Sequence, residues 1–238
     1  MTAETPLQAN PRSPSAWAQE FFYDALYCLS SIVMGMLFPT RVSGGNCVPR
    51  DGGFLVVANH LSYIDPPLLG MTCYRRRLGY LAKAPLFRFA PFRWWILALG
   101  AIKIDQENSA KGGIQATLKA VAEGKGVALF PEGGRSEDGE LQPLQRGILL
   151  LVRRAKCPVV VAGIAGAYEA WPIFNLLPAP KPMWVHYDTW NRPAGASDEE
   201  ALADLARAMA AARAKARRGW RSMNGIPRRW KPAAGSGG

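Results

Sequence analysis

The chain has 238 residues, 49% of them hydrophobic, and 29 Lys and Arg against 18 Asp and Glu give it a formal net charge of +11. That length suits one α/β domain with a sizeable core, and that hydrophobic fraction excludes a polytopic membrane protein. The cationic excess calls for an anionic partner: nucleic acid, an anionic membrane surface or a phosphorylated substrate. Eight Trp beside basic residues favour the membrane interface, so no nucleic acid is expected. Cys28, Cys47, Cys73 and Cys157 show no paired spacing, and His60 and His186 are the only two histidines. Zinc sites, disulfide frameworks and metal catalysis are therefore not expected, and a reducing, cytoplasmic compartment is the default. Residues 1–14 are rich in Pro, Ser, Thr and Asn and read as a disordered tail, not as a secretory signal.

From Trp17 to Phe38 the chain is apolar and aromatic. The run from Phe21 to Phe38 approaches the lower limit of about 18 residues for a membrane span, but Asp24, Ser30 and Ser31 weaken that reading. A helix or helical hairpin over residues 15–39 lying in one leaflet fits better, with Pro39 ending it. A true span and a buried soluble helix are the alternatives. Residues 41–53 form a Gly-rich link containing a short edge strand.

Phe54-Leu55-Val56-Val57-Ala58 reads as a buried strand. Asn59-His60-Leu61-Ser62-Tyr63-Ile64-Asp65 follows it, and Pro66-Pro67-Leu68-Leu69 opens a helix. Strand-to-helix turns are where α/β proteins place their sites. Residues five apart on one helix diverge by about 140°, so His60 and Asp65 meet only if His60 lies in the turn and Asp65 starts the helix. Asp is a good N-cap and Pro is tolerated at the first helical position, so Asp65 before Pro66 suits a helix start. The carboxylate would then fix the imidazole tautomer and leave the other ring nitrogen to take a proton from a hydroxyl. An ordinary Asp cap beside a surface His is the alternative.

Leu78 to Ala82 reads as a strand with Lys83 at its exit. Leu86 to Ile96 mixes aromatics and arginines without clean periodicity and looks interfacial. Gly100 to Asp105 is a further strand, and Ile114 to Glu123 an amphipathic helix. Val127 to Phe130 is a buried strand that runs into Pro131-Glu132-Gly133-Gly134-Arg135-Ser136. Glycines after a strand free the backbone to approach an anion, and Arg135 can grip a phosphate in bidentate fashion.

Leu144 to Arg154 is a helix, and Pro158 to Ile164 a near-continuous apolar strand, as parallel sheets require. A Pro-rich loop over 167–182 precedes a last strand at Met183–Tyr187, where His186 reads as structural. Ser197 to Glu200 is a capping box opening a basic helix. Residues 40–218 thus form one domain, a mixed, largely parallel sheet flanked by helices, and residues 219–238 a basic, flexible tail.

The His-x4-Asp and Phe-Pro-Glu-Gly-Gly-Arg-Ser stretches together resemble the 1-acylglycerol-3-phosphate acyltransferase family. Lys83, Gly100 to Asp105 and Cys157 to Val161 extend the resemblance, which covers about residues 40–170. It implies a glycerol-3-phosphate acyltransferase-like fold with a membrane-associated N-terminal segment. It also implies acyl transfer from acyl-CoA or acyl-carrier-protein to a lysophospholipid at a phospholipid surface, on the cytoplasmic face of the inner or plasma membrane, with no cofactor. His60 and Asp65 are then catalytic. Lys83, Glu132, Gly133, Gly134, Arg135 and Ser136 are substrate-binding, with Lys83 and Arg135 on the acceptor phosphate and Glu132 either bonding the glycerol part or ordering the loop. The chain departs from the family at Gly134, where Thr is common, at Gln106, where Arg is common, and at Ala84-Pro85, where an acidic residue often stands. Another lysolipid, such as lyso-ornithine lipid, is the alternative acceptor; a non-catalytic basic protein that binds anionic membranes is the alternative outside enzymology.

Overall fold

The computed structural model describes residues 14–104 and 109–225. Three all-buried strands make its centre: β2 (Phe54–Ala58), β5 (Gly126–Leu129) and β6 (Val159–Ala165). Strands buried on both faces suit a parallel sheet covered on both sides, and here seven strands run in the order β1-β7-β6-β2-β5-β3-β4. β3 (Leu78–Lys83) and β4 (Ala101–Ile104) lie parallel to β5 and β2. The last strand, β7 (Met183–Trp190), runs antiparallel to β6, and the edge strand β1 (Thr40–Ser43) pairs parallel to β7.

Side chains alternate across a strand, which divides the core into two halves. Phe54, Val56 and Ala58 face one side, with Leu68 and Leu69 of α2 (Asp65–Thr72) and Ile96 of α3 (Ala90–Ala98). Leu55 and Val57 face the other, with Val121 of α4 (Ser109–Ala122), Leu149 of α5 (Gly147–Ala155), and Leu205 and Met209 of α7 (Asp198–Met223). The helix after β2 therefore covers one face and the helix after β5 the other, although these strands are neighbours. A crevice opens at the carboxyl ends of such a pair. α7 sits so close on β6 that a methyl group at Gly163 would strike the backbone of Ala212 and Arg213.

Several boundaries differ from those expected. The N-terminal segment is one continuous helix, α1 (Pro14–Leu37), not a hairpin, and it begins inside the expected tail, with Pro suited to the first helical position. Ser30, which weakened the apolar run, works inside the fold: its hydroxyl donates to Leu26 O at 2.7 Å and accepts from Trp95 Nε1 at 2.9 Å, joining α1 to α3. Among the described residues, no helix is long and apolar enough to cross a membrane. The Leu86–Ile96 stretch resolves into a 3-10 turn (Ala84–Phe87) followed by α3. The capping box forms in full, with Glu200 N donating to Ser197 Oγ and Ser197 N donating to Glu200 Oε2. Helix α7 continues past residue 218 to Met223, because Trp220 is anchored by a 2.8 Å bond from its Nε1 to Pro182 O.

Candidate active site

The crevice is built from two turns that hold each other. In the first, β2 ends at Ala58 and the Asn59 side chain prolongs the ladder. Its Oδ1 accepts from Ile164 N at 2.8 Å and its Nδ2 donates to Ile164 O at 3.2 Å. The chain then turns through His60 to α2. Asp65 is the first residue of that helix rather than its cap, a position held by Ile64. It is fully buried, and its carboxylate reaches back into the turn. One oxygen, Oδ2, accepts from Leu61 N at 2.5 Å, Ser62 N at 2.7 Å and His60 Nδ1 at 2.8 Å. When Nδ1 donates in that last bond, Nε2 is the bare ring nitrogen, as a general base requires. The His60 side chain is 18% exposed and lies 4.1 Å from the Phe130 ring, nearly parallel to it at 21°.

The second turn follows β5. Gly133 takes φ of 78°, a left-handed conformation that favours glycine. Glu132 is buried, and both of its oxygens are used inside the protein: Oε1 accepts from His60 N and Oε2 from Gln142 N, each at 2.8 Å. Burial pushes its carboxyl above the ordinary range, against the pull of those two bonds. Ser136 N donates to His60 O at 2.8 Å, and its hydroxyl donates to Asp138 at 2.8 Å. Glu132 and Ser136, expected among the substrate-binding residues, thus make hydrogen bonds within the two turns.

Arg135 is different. No carboxylate pairs with it among the described residues, and its Nη1 is buried without a partner. Its guanidinium carbon lies 3.5 Å from the centroid of the Tyr63 ring, which in turn lies 5.4 Å from Trp171. Tyr63 went unnoticed in the sequence, where it is only one of the four spacer residues between His60 and Asp65. A Cβ at Gly134 would meet nothing within 4 Å, so this position opens onto free space beside Arg135. Lys83 ends β3, at the same end of the sheet as the two turns, and its side chain lies outside the described residues, as do Asp105 and Gln106. His186 sits apart on β7. Its Nδ1 shares a 2.8 Å hydrogen bond with Ser43 Oγ and so ties that strand to β1, consistent with a structural role.

A base held by a carboxylate, with an unpaired arginine on the adjoining loop, suits transfer of a group onto a hydroxyl beside an anion. The acyltransferase family model matches residues 39–165, which span both turns. The chain belongs to the acyltransferase family. A 1-acyl-sn-glycerol-3-phosphate acyltransferase of Bacillus subtilis is 26% identical over 144 residues, covering 60% of this chain and 71% of the relative. One from Limnanthes douglasii is 33% identical over 153 residues, covering 63% of this chain and 53% of the relative. The matched region is thus about half the length of that plant enzyme. The fold is shared with the 1-acyl-sn-glycerophosphate acyltransferase of Thermotoga maritima, at a TM-score of 0.69 and 21% identity, over 92% of this chain and 85% of that one.

Proposed function

We propose that this acyltransferase moves a fatty acyl chain from acyl-CoA or acyl-carrier-protein to the free hydroxyl of 1-acyl-sn-glycerol-3-phosphate, giving phosphatidic acid. The observation that carries this reading is the 2.8 Å bond between His60 and Asp65, on a turn locked to the one that bears the unpaired Arg135. Arg135 takes the acceptor phosphate, assisted by Lys83, and the phosphate sets which hydroxyl reaches His60. Nε2 takes the hydroxyl proton as the oxygen bonds the thioester carbonyl carbon. The carbon–sulfur bond then breaks and the leaving thiolate takes that proton, giving an ester and a free thiol. No serine or cysteine nucleophile takes part. The acceptor named in several relatives supports the substrate, and the open space at Gly134 sets no bulk against the phosphate.

The reaction takes place at a phospholipid surface on the cytoplasmic side. In support, α1 leaves Phe21, Leu29, Ile32 and Met36 exposed at helical spacing, next to exposed Phe89 and Trp94 on the α3 side. The test is transfer from labelled oleoyl-CoA to lysophosphatidic acid in detergent, with His60→Ala alongside. Phosphatidic acid formed by the parent and not by the variant is the expected result. Full activity in a folded His60→Ala protein overturns the mechanism.

A further inference from the structure

A second apolar feature, distant in sequence from α1, stands at the catalytic end. Between the short helix α6 (Ala167–Ala170) and β7 the chain runs Trp171-Pro172-Ile173-Phe174-Asn175-Leu176-Leu177-Pro178. Phe174 is 72% exposed, Leu176 89% and Leu177 75%. Single exposed apolar side chains are ordinary, but three large ones within four residues mark a contact surface. The loop that presents them is closed at its base. Trp171 Nε1 donates to Asn175 O at 2.9 Å, Asn175 N to Pro172 O at 3.1 Å, and Ala179 N to Ala170 O at 2.7 Å.

Its position is defined from two sides. Toward the crevice, Ser62 Oγ donates to Trp171 O at 2.7 Å, and the Trp171 ring adjoins Tyr63, which carries Arg135. Toward α1, Met183 N donates to Pro39 O at 2.9 Å, so the loop enters β7 beside the link between α1 and β1. No Asp or Glu occurs from Ala170 to Tyr187, and Lys181 follows the tip.

We infer that the 174–177 tip is a second lipid-contact element, inserting into an anionic bilayer beside the active site. The inference rests on the reading that the acceptor is a membrane lysophospholipid. The absence of carboxylates from Ala170 to Tyr187, Lys181 beyond the tip and the net charge of +11 favour an anionic lipid surface over a protein groove. Trp171 at the base of the loop suits headgroup depth, with the leucines below it. One helix contact leaves the enzyme free to roll about the helix axis; a second contact at the tip fixes the crevice against the lipid. The acceptor then reaches Arg135 without crossing water.

Two variants of the full chain test this on vesicles of phosphatidylglycerol and phosphatidylcholine. Leu176→Ser/Leu177→Ser removes two insertable side chains, and its vesicle affinity falls by about tenfold or more. The loss persists at high salt, while transfer to a short-chain lysophosphatidic acid dissolved as monomers is unchanged. In Leu176→Trp/His60→Ala the new indole emission moves to shorter wavelength when vesicles are added. Because that second protein needs no activity, lipid contact is read separately from the acyl-transfer reaction. Unchanged vesicle affinity in the serine variant, or an indole blind to vesicles, overturns the inference. So does a serine variant that binds vesicles normally but loses transfer from acyl-carrier-protein, which would give the loop to a protein donor.

Discussion

His60 and Arg135 stand on adjoining turns and are held in opposite ways. The backbone N–H of His60 is fixed by Glu132, its carbonyl by Ser136 N, its ring edge by Asp65 and its ring face by Phe130. Arg135 rests on one exposed tyrosine ring and keeps a buried nitrogen without a partner. A base that must meet one proton in one geometry gains from such restraint, since small displacements cost rate. A cation that receives an anion gains from open donors, because a paired guanidinium would first have to break its bonds. In the proposed mechanism the His60 turn serves the chemical step and the Arg135 turn serves binding, a division breakable by substitutions that should move kcat on one side and KM on the other.

The largest effect is expected at His60 itself. His60→Ala lowers kcat by about 10²- to 10⁴-fold with KM little changed, the typical worth of a positioned general base. Asp65→Asn keeps the side-chain shape but offers an amide where three donors converge. It lowers kcat nearly as far and also lowers the melting temperature. Single-turnover transfer and thermal unfolding separate the two losses. A kcat for Asp65→Asn equal to that of the parent would remove the carboxylate from the mechanism.

Glu132→Gln comes next. Gln has one acceptor where His60 N and Gln142 N need two, so a buried N–H is left facing an NH₂ group, at a cost of about 1–3 kcal/mol. If Glu132 braces the base, kcat falls and KM holds. If it bonds substrate, KM rises, and the division between the two turns fails.

These residues also mark how far the sequence could be read. β2, β5 and β6 are legible because both of their faces are buried, which leaves runs such as Phe54–Ala58 unbroken by polar residues. The pairing of His60 with Asp65 is one of two readings that helix geometry and Asp-Pro chemistry leave open, and the 2.8 Å bond selects it. The reach of the carboxylate back to Leu61 N and Ser62 N does not follow from them, because those amides find it only once the turn has closed. Helix α4 starts at Ser109, five residues before its expected start, where Gly112 and Gly113 hide the helical pattern. The end of α7 was obscured in the same way, since Arg217-Arg218-Gly219-Trp220 reads as a tail until Trp220 finds Pro182. The roles of Glu132 and Tyr63 are contacts between turns distant in sequence, so local pattern carries no trace of them.

On the binding side, Arg135→Lys keeps the charge but loses the planar fork. The expected result is a rise in KM for the phosphorylated acceptor of about tenfold, in line with the loss of bidentate geometry, with kcat within about twofold. A fall in kcat with no change in KM would place Arg135 with the base instead.

The smallest effect tests the support under that arginine. An Arg over an exposed aromatic ring is worth about 0.5–1 kcal/mol, so Tyr63→Leu should raise KM by about two- to fivefold. The leucine still covers apolar surface against Trp171, which separates the ring's electrostatic hold from plain burial. Tyr63 lies within the spacer that joins His60 to Asp65, so the same substitution probes both turns at once. If the carboxylate and Glu132 set the base independently of the spacer side chains, kcat is unchanged and Tyr63→Phe restores KM, since the ring face and not the hydroxyl carries Arg135. A matching drop in kcat would mean that the two turns are held as one unit, with Arg135 tuning the base through Tyr63.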